Sequence, residues 1–134
     1  MKKYAIIETK EFPTVNVTFT GENANDDNFT LFLEEIKQSY DLQNKIALIF
    51  DATNAIVPAF KYQKMQANWL KDNQQMIKDF CVGTAYVIPN IIIRSVLKAI
   101  FAIQSQPVPF LVCSNITEAE NWVKIQLEIS KTLQ

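Results

Sequence analysis

Two hydrophobic periods divide the chain. From Pro13 apolar and polar positions alternate, with Val15, Val17 and Phe19 set against Asn16, Thr18 and Thr20. A period of two predicts a strand with one buried face. The stretch from Tyr4 to Thr9 reads as a shorter strand before it, and only Lys10, Glu11 and Phe12 lead from it to Pro13, so the two form a hairpin that Gly21 ends. Three later runs are apolar without alternation: Lys45 to Phe50 after its first residue, "CVGTAYVI", and "PFLVCS" from Pro109. Continuous runs of this kind belong to strands covered on both faces, as in a sheet with crossover helices.

Between the runs the spacing turns helical. Asn25, Asp26 and Asp27 offer oxygens to the free N–H groups of a starting helix, and Phe29, Phe32, Leu33, Ile36 and Tyr40 follow on one stripe. After Pro58, "KYQKMQANWLKDNQQMIKDF" predicts one long amphipathic helix. Tyr62, Met65, Trp69, Met76 and Phe80 form its apolar stripe, and Lys64, Lys71 and Lys78 recur on a solvated face. Ile91 to Ile103 predicts a helix that is apolar almost all round, with only Arg94, Ser95 and Lys98 polar. Thr117 and Glu120 form a capping-box pattern, with Trp122, Ile125, Ile129 and Leu133 continuing the last helix. The order ββαβαβαβα implies an α/β fold: one domain over 1–134, with a single mixed five-stranded sheet, four helices and right-handed crossovers.

Composition narrows the functional classes. The 134 residues are 49% hydrophobic, enough for a sizeable core, and 2 Gly and 5 Pro leave no flexible linker. A net charge of −1 offers no basic stripe for nucleic acid. Lys2 and Lys3 precede no apolar signal region. The longest apolar stretch, from Ala85 to Ile103, is interrupted by Pro89, Asn90, Arg94 and Lys98, which makes a poor membrane span. A cytoplasmic protein that does not span a membrane is expected. The chain has no histidine, which removes Ser-His and Cys-His nucleophiles and histidine metal sites. Cys81 and Cys113 sit among apolar neighbours, far from CxxC spacing, and read as buried thiols. Adjacent acids such as Asp26-Asp27 and Glu34-Glu35 diverge on a helix and make poor acid–base pairs. Neither Gly21 nor Gly83 belongs to a phosphate loop. No catalytic residue, metal or cofactor is therefore assigned, and the expectation is a protein that is not an enzyme.

The element order, with "VNVTFTG" early, "ALIFDAT" in the middle and "NWVKIQL" near the end, resembles the SpoIIAA-like proteins, small bacterial relatives of the STAS and Sec14 (CRAL-TRIO) group. The resemblance covers essentially the whole chain. In STAS anti-sigma-factor antagonists, the loop after the middle strand carries Asp-Ser-Ser-Gly, and one of its serines is phosphorylated to switch partner binding. Here the loop reads Asp51-Ala52-Thr53-Asn54. The aspartate matches, the first serine is alanine, and the glycine is gone. Thr53 is thus the only phosphoacceptor left, and a phosphate on it would add negative charge beside Asp51.

Two functions follow as expectations. One is a regulatory or protein-interaction module, homodimeric through Ile91, Ile92 and Ile93 or binding another protein. The other, implied by the Sec14 resemblance, is a carrier of a lipid or other apolar small molecule. The nine Phe, four Tyr and two Trp are a sufficient aromatic supply to line its pocket. Candidate binding residues are Asp51 and Thr53 at the carboxyl edge of the sheet, Tyr62, Asn90, and the cations Arg94 and Lys98, one helical turn apart. The plainer role for Asp51 and Thr53 is to hydrogen-bond their own loop.

Overall fold

In the computed structural model, which describes residues 1–41 and 43–132, the strands are β1 (Ala5–Glu8), β2 (Thr14–Phe19), β3 (Ile46–Asp51), β4 (Cys81–Val87) and β5 (Phe110–Cys113). They pair in sequence order into one sheet. β1 and β2 are the expected antiparallel hairpin, with Ala5 opposite Phe19 and Glu8 opposite Asn16. The remaining pairs are all parallel.

Five helices connect and cover the strands among the described residues: α1 (Asp26–Gln38), α2 (Phe60–Asp72), α3 (Gln74–Phe80), α4 (Ile91–Ile103) and α5 (Ile116–Thr132). The order is therefore ββαβααβαβα, one helix more than the sequence pattern predicts. The long amphipathic segment breaks at Asn73, which has φ −110° and ψ 16°. Its Nδ2 donates to the carbonyl of Trp69 at 2.9 Å, and its own carbonyl accepts from Ile77 N–H at 3.0 Å. Asn73 thus closes one helix and opens the next. The buried residues of this region are Tyr62, Ala67, Leu70 and Ile77, while Met65, Trp69, Met76 and Phe80 of the predicted stripe are only partly covered.

The start of α5 also differs from the sequence reading. Asn115, not Thr117, supplies the cap, its Oδ1 accepting from Glu118 N–H at 2.9 Å. Ala119 and Val123 form the buried face, whereas Ile125 and Ile129 are 56% and 45% exposed. Leu133 lies outside the described residues. At α1 the expected acidic start holds, and the cap itself is Asn25. Its Oδ1 accepts from Asn28 N–H, and Asn28 Oδ1 accepts from Asn25 N–H, both at 2.8 Å.

The sheet separates two unlike cores. On one face Val15, Val17, Ile46, Leu48, Phe50 and Tyr86 pack under α1 to α4. On the other, Ala47, Ile49, Ala85, Val87 and Cys113 pack under α5. A β-bulge divides the faces on β4: Ile46 pairs with Cys81 and Ala47 with Gly83, so Val82 is an extra residue. The bulge turns Cys81 to the first face and Gly83 to the second. Both cysteines are free and buried, and burial raises both thiol pKa values.

Gly83 sits under Trp122. A Cβ there would lie 2.9 Å from the tip of the indole, so α5 lies close on β3 and β4 because this position has no side chain. Gly83→Val is expected to cost about 1–3 kcal/mol through overpacking. Urea unfolding checks this. A much smaller loss in a Gly83→Val/Trp122→Leu double variant than in Gly83→Val would place the strain at the indole.

Candidate functional site

The chemistry-bearing residues gather at the carboxyl edge of the parallel strands, where α2 and α4 begin. β3 ends in Asp51, whose Oδ1 accepts from Thr53 N–H at 3.0 Å and from the Thr53 hydroxyl at 2.6 Å. The acid and the hydroxyl therefore satisfy each other across a tight turn. Ala52 N–H donates to Val87 O at 2.8 Å and Ala55 N–H to Ala52 O at 3.1 Å, which fastens this loop to the next strand. Thr53 itself is exposed. Gly21 lies against the same loop. Its φ is +89° and an added Cβ would meet Asn54 O at 3.1 Å, so both conformation and space favour glycine there.

Asn90 is the cap of α4, its Oδ1 accepting from Ile92 N–H at 2.8 Å. Arg94 reaches back over the strand ends. Its Nε donates to Ile88 O at 2.7 Å and a terminal nitrogen to Ser114 Oγ at 3.0 Å. It joins the exits of β4 and β5, while Lys98 is exposed one turn further on. The structure thus places Asp51, Thr53, Asn90 and Arg94 along one edge, each engaged in hydrogen bonds with the chain around it, and does not bring them onto a common point.

Below this edge lies an apolar cavity of about 100 Å³, enclosed by the sheet, α1, α2, α4 and the loop after β3, and partly open to solvent. α4 contributes Ile93, Val96, Leu97, Ile100 and Phe101, a helical stripe facing inward. The "IIIR" start of α4 is thereby resolved: Ile93 faces the cavity, while Ile91 and Ile92 are 78% and 63% exposed. α2 adds Tyr62, Gln63, Gln66 and Leu70.

The floor is aromatic. Phe50 and Tyr86 are paired residues of neighbouring strands, stacked with centroids 5.2 Å apart at 12°. Phe19 stacks on the far side of Phe50 at 6.1 Å, and Phe101 meets Tyr86 edge-on at 5.9 Å. No lining residue carries a charge. The lining hydroxyls stay protonated as well: burial pushes Tyr4 up to about 12 and raises Tyr86 further. The Tyr86 hydroxyl is held by Gln106 Nε2 at 2.5 Å, while Gln106 Oε1 is buried without a described partner.

Of the candidate binding residues expected from sequence, Tyr62 is the one in the cavity wall, where Ile93 of the expected interface also lies. Its hydroxyl donates to Asp26 Oδ1 at 2.9 Å, and Lys61 Nζ lies 2.7 Å from the same oxygen. This latch joins the starts of α1 and α2 at the rim. Outside it the lip is hydrophobic: Val57 and Phe60, 50% and 63% exposed, precede and begin α2, and Ile91 and Ile92 begin α4 at the same edge. The aromatic floor escaped individual assignment in the sequence. Its signal was the recurrence of large rings at strand positions that register brings side by side.

No family model, no curated protein and no solved structure matches the chain. No described helix is long and apolar enough to cross a membrane.

The latch has a pH signature. The hydrogen bond from Lys61, then that from Tyr62, holds the Asp26 carboxyl below its usual range. A depressed carboxyl contributes stability that is full above its unfolded pKa of about 3.9 and lost as pH falls through the folded value. Asp26→Asn is expected to lower the melting temperature slightly at pH 7, with the gap to wild type closing as acid is added below about pH 3.9. Circular dichroism melts from pH 7 to 2.5 check this, and a gap independent of pH would remove the carboxylate's role.

Proposed function

We propose that this protein is a non-enzymatic cytoplasmic module that holds an apolar small molecule in the cavity between the aromatic sheet face and helices α2 and α4. The observation that carries this reading is a partly open cavity lined by aromatic and aliphatic side chains with no charged group among them. Apolar pockets with a small number of placed polar groups are the usual form of small-molecule sites. The exposed lip of Val57, Phe60, Ile91 and Ile92 supports it as an apolar approach to the opening.

The self-satisfied pair of Asp51 and Thr53 and the engagement of Arg94 argue against a catalytic constellation. The antiparallel hairpin followed by parallel crossovers supports kinship to the SpoIIAA-like group, while the additional helix α3 departs from the order expected of that group. The volume, about 100 Å³, lies below the roughly 300–1,000 Å³ of sites for drug-sized ligands. It favours a molecule smaller than a whole lipid.

The lip also favours a second reading, in which it pairs with its own copy as a homodimer. Its apolar residues at the starts of two adjacent helices would then be buried in an isologous contact.

Native mass spectrometry on protein purified gently from its own cells tests both. The expected result is a reproducible small-molecule adduct, lost on denaturation and absent from Ala55→Phe, a substitution that fills the cavity from its rim. An unliganded spectrum from the wild type would overturn the ligand reading. A dimer mass at micromolar concentration, abolished by Phe60→Ser with Ile91→Ser, is expected of the second reading, and a strict monomer ends it.

A further inference from the structure

We infer that the cavity accepts a single uncharged ring, a phenol-sized aromatic molecule with one neutral hydrogen-bonding group, in preference to a linear chain or any ligand with an ionised head. This deepens the ligand reading above and rests on it.

Size comes first. An apolar cavity of roughly 150 Å³ takes up benzene. The space here, about 100 Å³ and partly open, suits one ring with its substituent at the mouth. A long acyl chain would leave most of its length in water.

Charge comes second. An ionised carboxylate or ammonium buried without a partner is strongly disfavoured, and no residue of the lining supplies one. At the rim, Lys61 is already paired with Asp26. Arg94 is turned to Ile88 O and Ser114 Oγ.

The walls come third. Phe29 and Phe32 meet at 5.4 Å and 63°, and Phe29 and Tyr62 at 5.2 Å and 41°. Together with the stacked floor of Phe50 and Tyr86, they line the interior with rings set at several angles to one another. Another ring gains from such surfaces through edge-to-face and offset contacts beyond area burial, which an alkyl chain cannot.

The polar group comes last. Gln63 Nε2 is spent on Pro58 O at 3.0 Å, which leaves its carbonyl oxygen. Gln66 lines the same wall from the next turn of α2. These amides accept from or donate to a hydroxyl without bringing charge.

The test is a titration of the full chain with p-cresol, toluene, 1-hexanol, benzoate and hexanoate, followed by the methyl NMR signals of Ile93, Leu97 and Ile100. The expected order has p-cresol tightest and toluene next, with 1-hexanol, benzoate and hexanoate each at least ten-fold weaker than p-cresol. Hexanol or hexanoate binding as well as p-cresol would overturn the ring preference while leaving the ligand reading standing. If none of the five moves these methyls, the ligand reading falls with it. Gln66→Leu is expected to bring p-cresol down to the toluene affinity without changing toluene. An unchanged p-cresol affinity would remove that amide from the site.

Discussion

The contact of Trp122 with Gly83 sets the distances in this protein. A sheet covered on both faces stands off its helices by the size of the side chains between them. On the α5 side those side chains are small at the centre: Ala47, Gly83 and Ala85 are neighbours across β3 and β4. The bulge at Val82 is what points Gly83 to that side. The indole fills the place a side chain would take, and α5 settles close on the two central strands.

The opposite face is built from the largest side chains available. Phe19, Phe50 and Tyr86 cross three adjacent strands at the carboxyl end, stacked face on face. Rings of this size keep α2 and α4 away from the backbone of the sheet. At the amino end of the strands Val15, Ile46 and Leu48 with α1 and α3 close the space. At the carboxyl end the rings, the stripe of α4 and the loop after β3 do not, and a cavity is left. One sheet thus carries a tight face under α5 and a wide face that leaves a cavity.

Much of this arrangement was legible in the sequence, for reasons that are local. Strand positions follow from alternation in β2 and from continuous apolar runs in β3 and β4, because burial on one face or two writes itself directly into the pattern. The break at Asn73 was not legible. Its apolar spacing carries on through the interruption, and only the side chain's bond to Trp69 O shows that one helix has ended. The cap of α5 was misplaced by two residues because Thr117 and Glu120 match a capping pattern, while Asn115 sits nearer and wins the N–H of Glu118. At the edge of the sheet Asp51, Thr53, Asn90 and Arg94 are legible as polar groups at strand exits and helix starts. The cavity walls show in the sequence only as an abundance of aromatic residues. Which rings meet depends on the pairing of Phe50 with Tyr86, and register is not visible in a single run.

The division of labour between edge and cavity follows from the same physics. Asp51 is needed to hold the turn after β3, Asn90 to cap α4, and Arg94 to join Ile88 to Ser114. Each of these groups spends hydrogen bonds on chain that has left regular structure. The polar rim is therefore largely consumed by keeping the edge in shape. What lies lower down carries no charge: an apolar space with Gln63 and Gln66 on its wall. A site assembled from such groups selects by shape and by neutral hydrogen bonding. A charged molecule approaching the same edge meets Asp51, Asn90 and Arg94 already engaged in hydrogen bonds of the chain itself.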